Sequence, residues 1–438
     1  MNIKKNPSLG EKIKMLREAK GLNQAALAKA LYSSTMLISR IERDQATCDE
    51  EMLFTIKETL GVENAPLYES ELVAYKDRLV ALFDEIENER YTAARDKLEQ
   101  LFPITDLPWE HDLSLMYCSL ATLLEVLLQI ATTQTFIGTD EYNDIDAEKY
   151  LAYATRKEAL YLYNYTRGII YYNKSDDINT LKYFMKLFDY ANDDFKPDAK
   201  ILTFIGTCYL YLVKPVKAML WLERAKAIYN YNRASRIGPL LNQMLGICYI
   251  ATGEYTLAKE LHETAHAQAR SINLKIRIAE ELLNLAVVSD GMGDLKQSVR
   301  LCDQALTYID RDDTPKHYLS AIANKAKFMY KLKEYDKFRD LLENCKAMVH
   351  VDESLAIYIE AMTHLLTLKN IESTDYLENV AIPYFRTSCT YISMAIEMCK
   401  LLEAHYKRAR STKKALLIAS TMRDIYEEMF TGGNDDLF

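Results

Sequence analysis

Two histidines and a glutamate stand at a spacing that could grip zinc. Residues 261–270 read LHETAHAQAR, and His262-Glu263-Thr264-Ala265-His266 is an H-E-x-x-H. On a helix this pattern puts two imidazoles one turn apart on one face, with a glutamate beside them as a base. Such a site needs a third ligand. No His-x-x-Gly-x-x-His extension follows His266, and the nearest acidic residues downstream are Glu280 and Glu281. Whether the constellation is chemistry or coincidence depends on the elements that carry it.

Composition favours helices. Apolar residues make up 49% of 438, which is ample for a large core, while 13 glycines and 9 prolines are too few for a turn-rich β fold. The eight cysteines are scattered singly, with no C-x-x-C. They read as buried thiols of a reduced, cytoplasmic protein. The start, MNIKKNPSLGEK, has no apolar h-region, so no secretory signal is expected. The best candidate for a membrane span, 120–131, is short and carries Glu125, so none is predicted.

A body period explains the histidines. Gly206, Gly246, Ala286 and Ala326 recur every 40 residues. Ala218, Ala258, Ser298 and Phe338 follow in the same register, as do Ala225, Ala265, Ala305 and Cys345. Small residues at these places let two antiparallel helices approach closely. His262 falls in the slot of Leu222, Cys302 and Leu342, an inward apolar position, and His266 shares one with Lys226, Leu306 and Lys346. A repeat of this length outweighs a chance motif, so no enzyme and no metal or other cofactor is expected.

The charge is divided. Residues 1–43 carry nine Lys/Arg against three Glu, whereas the rest holds 45 basic and 60 acidic side chains. A small basic head on a large acidic body points to nucleic acid at one end. Within the head, Leu9, Ile13 and Leu16 form a stripe ended by Gly21, and Asn23 can cap a second short helix holding Leu27, Ala28 and Leu31. After the connector Tyr32-Ser33, Ser34 can cap a third helix with Ile38 and Ile41 inward. Met52, Leu53, Ile56 and Leu60 make a fourth, closed by Gly61. Two short helices about a tight turn are helix-turn-helix geometry.

Here LNQAALAKAL and SSTMLISRIER resemble the phage-repressor and Xre type of helix-turn-helix over about residues 9–63. The chain departs from that pattern where a Gly usually follows the last Arg, since it has Asp44. The Gln24 amide is expected to clasp a phosphate. Thr35, Met36, Ser39 and Arg40 are expected to project toward base edges, Arg40 to a guanine and Met36 to a thymine methyl. Arg43 is expected on a phosphate. Arg17 and Glu42 match a pair that the family uses as an internal salt bridge.

GEYTLAKELHETA resembles the second half of a tetratricopeptide repeat, with Gly253-x-Tyr255 at the hairpin turn. The likeness is good over about 197–348. YLYNYTRGIIYYN at 161–173 and the stretch 392–420 look like degenerate copies. The fold expected is all-α: an N-terminal helix-turn-helix bundle, then a tetratricopeptide-like right-handed superhelical solenoid of seven to nine helical pairs. The domains expected are 1–66 for DNA binding and 72–432 for peptide binding and dimerisation, joined by a polar link over 64–71.

Two residues before the Gly/Ala slot stand Asn164, Phe204, Met244, Asn284 and Asn324. An asparagine carries a donor and an acceptor and can pair with the main chain of an extended peptide. Nearby candidates for the groove are Gln243, Glu280, Asp290, Lys327 and Tyr330. The whole arrangement resembles the RRNPP group of peptide-pheromone receptor regulators of Gram-positive bacteria. That resemblance implies a cytoplasmic quorum-sensing regulator that binds a double-stranded DNA operator as a homodimer, with no membrane. It also implies that a short signalling peptide switches it, held by Asn284, Asn324 and Asn164. The alternative is an Xre-type regulator whose helical body binds a protein partner such as a response regulator, which would need a large exposed apolar patch.

Overall fold

The computed structural model describes residues 7–104, 107, 109–133, 145–229, 237–346, 348–368, 370–387 and 392–431. The chain is all-α, a helix-turn-helix head followed by a tetratricopeptide-like body, with no strand among the described residues. It divides into two compact units, 1–196 and 197–438.

The first unit opens with α1 (Leu9–Ala19), α2 (Gln24–Ala30), α3 (Thr35–Ile41) and α4 (Glu50–Thr59). Each start is fixed by a polar cap that accepts an otherwise unpaired N–H. Ser8 and Glu11 form a reciprocal capping box on α1, Asn23 accepts from the Ala26 N–H at 2.8 Å, and Ser34 and Asp49 cap α3 and α4. Ile13, Leu16, Leu27, Ile38, Ile41, Leu53, Ile56 and Leu60 close the core that these helices share.

Asp44, the departure noted in the sequence, leaves α3 with a φ of +56°. A glycine would adopt that conformation freely; the aspartate compensates through its side chain. Its carboxylate accepts from the Gly10 N–H at 3.0 Å and from the Ser8 hydroxyl, which places a negative charge on the N-terminus of α1. Asp44→Ala should therefore keep the strain and lose both bonds, whereas Asp44→Gly loses the bonds and relieves the strain. The Gly variant is expected to outlast the Ala variant by about 1 kcal/mol in urea unfolding of the head.

The expected polar link is not a loose tether. Ala65, Pro66 and Leu67 are buried. The buried Lys12 ammonium donates to the Leu67 carbonyl at 2.7 Å and sits 5.9 Å from the centre of the Trp109 ring. Glu71 accepts from the Leu67 and Tyr68 N–H groups at 2.7 and 3.0 Å. Short polar residues around Leu67 concealed this anchor, because its partners lie far off in sequence.

Beyond the link run α5 (Glu69–Glu87), α6 (Tyr91–Glu99), α7 (His111–Thr133), α8 (Ile145–Leu151), α9 (Lys157–Asn173) and α10 (Asp177–Tyr190). By length and composition the window His111–Ala131 of α7 could cross a membrane, which the shorter stretch considered in the sequence did not suggest. In the structure 61% of that window is buried within the protein, as in a core helix. Just before α7, burial pushes the Glu110 carboxyl up to about 6, against the pull of Lys12. A carboxyl raised on folding adds stability below its unfolded pKa, and that stability is lost as pH rises through about 6. Glu110→Gln should then stabilise the first unit by about 2 kcal/mol at pH 7, and by much less toward pH 4.5, in urea unfolding.

The second unit is built of helical hairpins: α11 (Ala199–Tyr211) with α12 (Pro215–Ile228), α13 (Ile237–Thr252) with α14 (Tyr255–Ser271), α15 (Lys275–Gly291) with α16 (Leu295–Leu306), and α17 (Pro315–Lys331) with α18 (Tyr335–Lys346). These four cover the stretch where the 40-residue period is clearest. The small slot of each first helix faces the large slot of its partner. A Cβ on Gly206 would come within 2.6 Å of Leu222, and one on Gly246 within 2.6 Å of His262. Leu222, His262, Cys302 and Leu342 are all buried.

After α18 the period breaks. α19 (Glu353–Leu365) leads to α20 (Ile371–Tyr376), a π turn over Leu377–Ala381 and α21 (Ile382–Arg386), then α22 (Ile392–Arg408) and α23 (Thr412–Thr431). Six cysteines (118, 208, 248, 302, 345 and 399) are buried and Cys48 is half-buried; Cys389 lies outside the described residues.

Candidate functional site

The head presents α3 to solvent. Thr35 and Met36 are exposed at its start, Met36 with 73% of its surface free. The other expected contacts are engaged within the head. Arg43 donates to the Ser39 hydroxyl at 2.7 Å and to the Ser39 carbonyl at 3.0 Å, and Arg40 donates to the Gln45 carbonyl at 3.2 Å. These are exposed contacts that a ligand can displace.

Gln24 differs: its amide donates to Glu42 at 2.8 Å, so it faces the head interior rather than outward to a phosphate. The reason is the Arg17–Glu42 pair, which forms with Arg17 Nε 2.6 Å from Oε1 and Nη2 3.0 Å from Oε2. Burial alone would raise Glu42, but the bonds from Arg17 and Gln24 hold it below the usual carboxylate range. Arg17 also donates to the Leu22 carbonyl at 2.6 Å, which closes the α1–α2 turn. Tyr32, expected only as part of the connector, is fully exposed in the α2–α3 turn with a φ of +50°.

The asparagines fall on first helices as the register required. In the first unit, Asn164 is buried on α9 and donates to the Leu160 carbonyl at 2.6 Å. In the second unit, Asn324 likewise donates to the Ser320 carbonyl at 3.0 Å, while Asn284 is half-buried on α15. Neither Asn164 nor Asn324 spends its donor on a neighbouring helix.

Around Asn284 and Asn324 the first helices are laced by polar rows. Gln243 Nε2 lies 3.5 Å from Glu280, and His317 Nε2 lies 3.4 Å from the other Glu280 oxygen. Arg277 binds Glu280 at 3.0 Å and donates to Gln243 Oε1. Burial tends to raise Glu280, but His317, Arg277 and Gln243 together hold it below its ordinary value. Farther along, Lys331 lies 2.8 Å from Asp290 and 2.9 Å from Glu397, and Lys327 lies 3.7 and 3.6 Å from the same two carboxylates. Lys327 is thus tied into a closed quartet of charges linking α15, α17 and α22. Tyr330 packs against Tyr335 and Phe338, with ring centres 5.9 and 5.4 Å away. Arg277, His317, Lys331 and Glu397 were missed in the sequence. The 40-residue step from Arg277 to His317 was the available signal.

His262 is fully buried and its Nδ1 lies 2.7 Å from Glu281 Oε2, which is also buried. Glu263 is exposed and pairs with Lys259 at 3.8 Å. Among the described residues no group of three or more His, Cys, Asp or Glu is placed to hold a metal ion. The H-E-x-x-H is therefore split between a core contact and a solvated face.

A family model described as Helix-turn-helix matches residues 13–63. The chain is 21% identical over 405 residues to the transcriptional activator NprA of Geobacillus stearothermophilus, covering 87% of this chain and 94% of that protein. In fold it resembles a Rap protein complexed with competence and sporulation factor, at a TM-score of 0.60 and 13% identity over 81% of this chain and 98% of that one. It also resembles the apo quorum sensor NprR of B. thuringiensis, at a TM-score of 0.56 and 16% identity over 85% of this chain and 99% of that one. NprR in complex with its cognate peptide NprX aligns at a TM-score of 0.52 and 17% identity, over 81% and 98% of the two chains.

In fold and domain order the chain is similar to these proteins, with a helix-turn-helix head followed by a helical repeat body. The head match falls on α1–α4, and the likeness to the solved structures concerns the helical fold of the body.

Proposed function

We propose that the protein is a transcriptional regulator that binds operator DNA through α3 and is switched by a short signalling peptide held on the first helices of its body. The helix-turn-helix match over residues 13–63, with Thr35 and Met36 standing free on α3, carries this reading. NprA is a transcriptional activator, and NprR is a quorum sensor with a cognate peptide; both support it. The likeness to Rap concerns fold alone and lends less to a response-regulator partner.

The DNA site comprises Thr35, Met36, Ser39, Arg40 and Arg43, with Gln24 joining only if Glu42 releases it. The peptide-binding residues are Asn164 in the first unit and Gln243, Glu280, Asn284, Asn324, Lys327 and Tyr330 in the second, Lys327 acting through its quartet. The DNA-binding domain is 1–66 and the peptide-binding, dimerising domain 72–432. As a DNA-binding regulator the protein works in the cytoplasm, as a homodimer and not as an enzyme. Peptide binding favours one arrangement of the body over another and thereby shifts the two heads into or out of register with paired half-sites.

Selection of duplexes from a random pool by the full chain tests this. It should return two half-sites whose centres lie about 34 Å apart or a multiple of that. A single half-site bound by a monomer would contradict it. Asn284→Ala and Asn324→Ala should each weaken peptide binding in calorimetry, and normal binding by both would remove them from the site.

A further inference from the structure

The polar row around Glu280 has donor capacity left over. Both carboxylate oxygens are engaged: Oε2 by Arg277 and Gln243, Oε1 by His317. Arg277 uses only Nη1 in these contacts, so its Nε and Nη2 groups remain for another acceptor. His317 uses Nε2, so its Nδ1 is a donor only in the imidazolium form. Arg277 is 31% and His317 38% exposed at the side chain. They occupy the same place in consecutive repeats, 40 residues apart, so both stand on the face that carries Asn284 and Asn324. Glu280 lies between them as a brace that orients both. A cation brought here would find its one carboxylate already satisfied, whereas an anion would find the remaining Arg277 donors and, in the imidazolium form, the Nδ1–H of His317.

The same face changes character along the repeats. At the positions aligned with Glu280, Asn284 and Val287, α13 carries Leu240, Met244 and Ile247 and α11 carries Lys200, Phe204 and Thr207; of these Leu240, Ile247 and Phe204 are half-buried apolar side chains. α11, α13, α15 and α17 are successive neighbours. With first helices about 9 Å apart, the distance from Phe204 to the gap between Arg277 and His317 is on the order of 20 Å. An extended chain of about seven residues covers that length.

We propose that this face takes a peptide of about seven residues that sets an apolar stretch over Phe204, Leu240 and Ile247 and a carboxylate between Arg277 and His317. The inference rests on the peptide-receptor reading above and names the chemistry of its ligand. Arg277 and His317 grip the carboxylate, Glu280 positions them, and the Asn284 amide, two turns along α15 from Arg277, meets the peptide main chain.

The test uses the full chain on a solid support with pools of randomised heptapeptides. One pool has free C-terminal carboxylates and no Asp or Glu, one is amidated with Asp and Glu allowed, and one is amidated with neither. Retained peptides are read by mass spectrometry. A carboxylate-bearing pool should be retained about tenfold better than the pool that has none, and the two arms tell a C-terminal from a side-chain carboxylate. Peptides rich in apolar residues should dominate each retained set. Arg277→Gln with His317→Gln should abolish the carboxylate preference while apolar selection persists, with circular dichroism unchanged. His317→Gln alone should reduce the preference and serves if the double variant fails to fold. Equal retention of all three pools would overturn the carboxylate assignment and leave the receptor reading standing. No retention of any pool by the wild type would overturn both.

Discussion

Glu42→Leu should unfold the head while leaving the repeats of the second unit intact. Glu42 is 1% exposed at its side chain and meets a 7% exposed Arg17 through two bonds, with Gln24 as a third donor. Leucine fills a similar volume but leaves the buried Arg17 guanidinium without its carboxylate, with the Leu22 carbonyl and Glu18 as its remaining partners, and takes an acceptor from the half-buried Gln24 amide. Breaking a buried pair from one side costs about 3–5 kcal/mol, which rivals the whole stability expected of a four-helix head. Amide exchange should show α1–α4 losing protection while α11–α18 keep theirs, and DNA binding should vanish. Arg17→Leu with Glu42→Leu should recover much of the loss, because no charge is then left stranded. Unchanged protection of α1–α4 in the single variant would remove this pair from the head's support.

The second large effect is expected at His262. Replacing it by leucine strands Glu281, whose carboxyl burial already raises and which His262, with a smaller pull from Arg277, opposes. The expected loss is again about 3–5 kcal/mol at neutral pH. It should be pH-dependent in a defined sense. A carboxyl whose pKa rises on folding contributes stability below its unfolded pKa and loses it as pH rises through the folded value. The His262→Leu variant should therefore approach the wild type on acidification and diverge from it as pH rises. His262→Leu with Glu281→Leu should match or exceed the wild type at every pH, since Leu222 already occupies the equivalent slot beside Gly206. Thermal unfolding of the three proteins across pH measures this. A double variant no better than the single one would show that the pair does more than fill its slot.

What was legible in the sequence follows from what repeats. Gly206, Gly246, Ala286 and Ala326 betrayed the hairpins because close helix approach tolerates only small residues there, whatever the surroundings. The head was legible through caps and an inward stripe, both local. Asp44 was visible as a departure, but its grip on Ser8 and Gly10 was not, because it depends on how α3 returns to α1. Lys12 read as one more basic residue of the head, and only the tertiary structure buries it against Leu67 and Trp109. The Gln24 amide was assigned outward from its place on α2, and a long-range partner, Glu42, draws it inward. The asparagine register placed Asn284 and Asn324 on first helices, whereas the row through Gln243, Arg277, Glu280 and His317 joins three helices and escaped a reading made along one.

The central claim is that peptide on the body controls DNA at the head. Its most direct measurement is fluorescence anisotropy of a duplex selected by the wild-type chain, titrated with and without a saturating heptapeptide retained by that chain. The account predicts that the peptide shifts DNA affinity by about tenfold or more, and that Asn284→Ala removes the shift at the same peptide concentration. DNA affinity that stays constant while the peptide is demonstrably bound would contradict it.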